Sequence, residues 1–221
     1  KRDLSKPTGI KSKTQQKAKK EGELDITIDN AIYLYNHIKD PRTWDKLDAA
    51  GIDMAVRKKI VDFINRAENK ELKEYADEMV KLYKHYRTPV EMVLDEQGYD
   101  TFGEPTYSTK EMYVDKLVKG GEMSQQEAEA EADKIISLLE DIYGEGNIPE
   151  LIPYTPSRVE SNTPELTIDN LLDPDSELNA ITVLSGNLVA RTKGGELRWE
   201  DVSVDDIASQ YANGVIRGIS F

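Results

Sequence analysis

Along most of this chain apolar residues recur at intervals of three and four, the spacing of one helix face. From Leu24 the pattern turns helical. Ile28, Ala31, Ile32, Tyr35 and Ile38 would share a face, with Asp25 or Asp29 as N-cap. Pro41 would end that helix, because the residue before a proline is pushed out of the α region. Arg42 to Ala50 reads as a short helix closed by Gly51. Asp53 then caps a helix with Val56, Ile60, Val61 and Ile64 on one face. Asn69 opens another, in which Leu72, Tyr75, Ala76, Met79, Val80, Leu82, Tyr83 and Tyr86 make a wide apolar stripe. Pro89 suits the first turn of a further helix, Val90 to Gln97, stopped by Gly98. Residues 99–107 have the punctuation of a loop. Ser108 or Thr109 would cap Lys110–Lys119. Ser124 would start Gln125–Tyr143, with Ala128, Ala132, Ile135, Ile136, Leu139 and Ile142 inward.

The pattern then changes. Pro149, Pro153, Pro156, Pro164 and Pro174 each remove a backbone donor, which predicts an extended proline-rich strap over residues 146–180. Ile181, Val183, Leu188 and Val189 around Ser185-Gly186-Asn187, with Leu197, Trp199 and Val202 after Gly194-Gly195, predict a small β-hairpin. A last helix, about Val204 to Arg217, would turn Ile207, Tyr211, Val215 and Ile216 inward. The expected fold is mainly α: a multi-helix, bundle-like domain over 24–145, then the strap. Residues 181–221 would add a hairpin near the C-terminus and a helix packed on the helical domain.

Charge adds a division the periodicity does not show. The 221 residues hold 29 Lys+Arg and 42 Asp+Glu, a net charge of −13. Residues 1–22 contain Lys1, Arg2, Lys6, Lys11, Lys13, Lys17, Lys19 and Lys20 against Asp3 and Glu21, so this stretch carries +6 and the rest −19. Leu4 and Ile10 are its only large apolar residues, so residues 1–23 read as a flexible basic arm. Such an arm is either a solvated linker or a contact to nucleic acid or an acidic neighbour. The outer face of Gln125–Tyr143 gathers Glu127, Glu129, Glu131, Asp133, Glu140 and Asp141, a solvated face or an acidic docking surface. The first residue is Lys1, no signal peptide is legible, and Ile216, Ile219 and Phe221 end the chain on apolar side chains. These features suit a chain cut from something longer.

Candidate chemistry is sparse. With no Cys there is no disulfide, thiol nucleophile, Cys-type zinc site or iron–sulfur cluster. No apolar run is long enough to cross a membrane. The acidic balance argues against broad binding of a phosphate backbone. His37 and His85 lack a second ligand at metal spacing and read as packed or surface residues. Asp173, Asp175, Glu177 and Asn179 imitate half a calcium loop, but Leu178 and Leu184 stand where glycine and glutamate are required. There is no G-x-S-x-G, P-loop or G-x-G-x-x-G, and Gly194-Gly195 lacks the remainder of a phosphate cradle. Tyr75, Tyr83, Tyr86, Tyr99, Tyr107 and Tyr113 could stack bases, but too few basic residues are interleaved for a nucleic-acid platform. No catalytic, cofactor-binding or metal-ligating residue is assigned, and no cofactor is expected.

One ordered set of segments is familiar. It begins with Ala31-Ile-Tyr-Leu-Tyr-Asn-His-Ile-Lys-Asp-Pro41, Ala50-Gly51-Ile52 and Leu72-Lys-Glu-Tyr-Ala-Asp77. It continues with Ile148-Pro-Glu-Leu-Ile-Pro-Tyr154-Thr-Pro156-Ser-Arg158, then Leu184-Ser-Gly-Asn-Leu-Val-Ala-Arg191-Thr-Lys-Gly-Gly195 and Tyr211. Over roughly residues 29–218 this order resembles a helical module of the large multidomain polyvalent proteins of bacteriophages and mobile elements. Some of those proteins are carried in the capsid and ejected with the DNA. The resemblance implies no catalytic residue. It implies a structural or interaction segment of a large phage protein, located in the virion or host cytoplasm. Its partners would be other segments or copies of that protein or other virion proteins. Two alternatives remain from the residues themselves: an acidic protein that blocks a basic host partner by imitating DNA charge, and a hydrolase whose carboxylates are not distinguishable among 42.

Overall fold

The computed structural model describes residues 3–13, 23–96, 109–119, 123–149, 199, 203–209 and 212. Two strands, β1 (Pro7–Lys13) and β2 (Glu23–Thr27), pair antiparallel at the start of the chain. Six helices follow: α1 (Ile28–Ile38), α2 (Trp44–Ala49), α3 (Met54–Ile64), α4 (Lys70–Glu96), α5 (Lys110–Lys119) and α6 (Gln125–Tyr143), and the described residues 204–209 and 212 of the expected last helix are helical as well. Short 3₁₀ turns at Pro41–Thr43 and Ala67–Asn69 lead into α2 and α4. The mainly helical expectation holds, but the β-hairpin of the described structure lies near the N-terminus and not near the C-terminus. Of the residues expected to form the C-terminal hairpin, from Ile181 to Val202, only Trp199 is described and it lies in no strand; the strap beyond Pro149, the loop at 99–107 and the apolar end at Ile216, Ile219 and Phe221 lie outside the described residues.

The hairpin corrects the reading of residues 1–23 as a flexible arm, as far as Lys13. Average composition conceals a period of two here. Ile10 and Ser12 are buried, and the Ser12 hydroxyl donates to the Gly51 carbonyl at 2.7 Å. Lys11 stands opposite Asp25 in the ladder, a pairing of opposite charges that favours this register. The register shifts between Pro7 and Lys11, where Gly9 adopts φ +80°, a left-handed conformation that glycine takes without strain. Residues 24–27, expected as the start of the first helix, are therefore strand.

The first helix begins four residues later than its pattern suggested, and its cap is Thr27, not Asp25 or Asp29. The Thr27 hydroxyl accepts the Asn30 N–H at 3.2 Å, and the Asn30 side-chain oxygen accepts the Thr27 N–H at 3.4 Å. The N–H groups of Ile28 and Asp29 donate to the carbonyls of Lys6 and Leu4, so the chain's first described residues seal the open end of α1. Only one apolar face was expected on this helix. Instead α1 is buried around its whole circumference, Asn30, Asn36 and His37 included, because β1, β2, α3 and α4 all pack on it.

The other helices follow their patterns more closely. Asp53 caps α3 by accepting the Val56 N–H at 2.9 Å, and Ser124 and Glu127 form a reciprocal capping box on α6. The core gathers Ile26, Ile32, Leu34, Ile38, Leu47, Ile60, Ile64 and Leu139, all essentially without exposure. Asn69, expected as an N-cap, immediately precedes α4 and is buried, with its amide donating to the Phe63 carbonyl at 2.6 Å.

Pro89 does not open a new helix: α4 runs through it from Lys70 to Glu96. The proline leaves one carbonyl of the ladder without its usual donor, a loss the long helix tolerates. Pro89→Ala restores that donor and is expected to stabilise the fold by up to about 3 kcal/mol, read as a raised urea midpoint. A lowered midpoint would show that the packing needs the proline.

Candidate functional site

Complete burial of α1 forces its polar residues to find partners, and they gather at its two ends. At the C-terminal end the chain places Lys39 and Asp40, both buried. The Lys39 ammonium donates to Asp77 of α4 at 2.6 Å and lies 4.7 Å above the centre of the Tyr35 ring, one helical turn back. Burial lowers the Lys39 ammonium from its ordinary value, and the bond to Asp77 opposes that shift. Tyr143, from the end of α6, donates its hydroxyl toward the Lys39 carbonyl at 3.4 Å. Asp77 is 44 % exposed against 7 % for Lys39, so the cluster meets water on the α4 side. The ammonium is therefore engaged by a carboxylate and a ring face, which fastens α1 to α4.

Tyrosine hydroxyls make this cluster unusual. Burial, and then the nearby Asp77, hold the Tyr35 phenol above its ordinary value. Burial, and then Asp40, do the same for Tyr143. The Tyr35 hydroxyl is buried and donates to no group among the described residues.

The N-terminal end of α1 is a junction. Asn30 donates its side-chain amide to the Trp199 carbonyl at 2.6 Å, and Trp199 returns its indole N–H to the Ala50 carbonyl at 3.1 Å. Asp29 accepts the Val204 N–H at 3.2 Å, while Tyr75 donates its hydroxyl to Asp205. Further ties cross the helices. Arg57 is buried, donates to the Trp44 carbonyl at 2.9 Å, pairs with Asp48 at 2.6 Å and stacks over the Trp44 ring. Asn36 donates to the Ala76 carbonyl at 3.1 Å, joining α1 to α4.

The residues singled out from sequence are scattered relative to these clusters. His37 is fully buried and meets Tyr33 edge to face, with ring centroids 4.6 Å apart. His85 is exposed on α4. Tyr83 and Tyr113 are buried, and Tyr75 joins the junction, so these three are packed core and edge residues. The half-calcium loop from Asp173, with Tyr99 and Tyr107, lies outside the described residues. On α6, the acidic face is largely matched by neighbours. Glu127 accepts from Ser124, Glu129 from Gln125, Glu131 pairs with Lys134, Asp133 with Lys110 and Asp141 with Lys58.

Among the described residues no group of three or more His, Asp or Glu is placed to hold a metal, and no helix is long and apolar enough to cross a membrane. Sequence reasoning missed Lys39, Asp77, Arg57, Tyr143 and the Asp29 junction. The one available signal was the four-residue spacing of Tyr35 and Lys39. No family model, curated protein or solved structure matches the chain.

Two outcomes follow from the cluster. Because folding holds Tyr35, Tyr75 and Tyr143 above their ordinary value, the unfolded chain releases those protons first as pH rises past about 10, and stability falls. Absorbance of phenolate against pH should show a part of the eleven tyrosines, these three among them, ionising only as the fold is lost; smooth titration of all eleven in the folded state would contradict this. Tyr35→Phe removes a hydroxyl that has no partner among the described residues, so stability should stay level or rise by up to about 1 kcal/mol in chemical denaturation.

Proposed function

We propose that the chain is a non-enzymatic structural and interaction segment of a large bacteriophage protein carried with the virion. The observation that carries this reading is the junction at Asp29. Its N–H donates to the Leu4 carbonyl and its carboxylate accepts the Val204 N–H, so early and late parts of the chain meet at one residue. A domain whose entering and leaving segments lie together can sit within a longer polypeptide without strain. The use of polar side chains supports the same reading. Lys39, Arg57, Asn30, Asn36 and Asn69 each bond to another part of the fold, which is what a scaffold requires of buried polar groups. The resemblance of the segment order to that of polyvalent phage proteins is what suggests the biological setting.

The charge-imitating alternative has less support. Five of the six carboxylates on the outer face of α6 are engaged by groups of the same chain, three of them by lysines, which dilutes the acidic field a basic partner would meet.

An antibody against this chain, applied to purified virions of the phage that encodes it, should mark a virion band much larger than 25.0 kDa. A signal confined to a 25 kDa species absent from particles would overturn the reading.

A further inference from the structure

We draw no further inference here: the strongest candidate, the carboxylates of Asp29, Asp205 and Asp206 beside the Tyr75 hydroxyl where the start of α1 meets residues 203–209, is an acidic cluster with no second observation among the described residues that points to a ligand.

Discussion

Everything described in this fold depends on one constraint: α1 is buried on every side. A helix in that position leaves few of its polar groups facing water, so most of them are answered by another element. Asn30 answers to Trp199, Asn36 to α4, and Lys39 to Asp77. The neighbours are placed by these demands as much as by apolar contact. The β-hairpin covers one side and lends its leading carbonyls to the first turn, while α3 and α4 close the others.

Polarity at the two ends of α1 has two different consequences. At the C-terminal end, opposite charges and a ring face enclose a lysine, and the result is a fixed joint between α1 and α4. Replacing either partner would leave the other charge partly buried without its complement, which is costly in a low-dielectric setting. At the N-terminal end, the Asp29 carboxylate accepts the Val204 N–H and has the carboxylates of Asp205 and Asp206 nearby.

Much of the helical layout was legible in the residues, for a physical reason. The caps at Asp53 and Ser124 and the apolar faces of α3 and α6 are local features, set by residues within a few positions of one another. What was not legible is non-local. Ile10 and Ser12 seemed too little to order a lysine-rich segment until β2 supplied a partner strand and Gly51 an acceptor. Residues 24–27 have a pattern short enough to serve as strand or helix, and pairing decided it. Pro89 carries a local signal to break, and the helix overrides it. The polar clusters were hidden for the same reason: Lys39 and Asp77 are far apart in the chain, and nothing near either announces the other.

The central claim is that α1 is the hub on which the described structure is assembled. Native-state hydrogen exchange followed residue by residue tests it most directly. If the claim holds, the amides of Ala31 to Ile38 exchange slowest of all, with an opening free energy equal to that of global unfolding. If those amides exchange faster than the amides in the middle of α6, α1 opens while the rest stays folded, and it is not the hub.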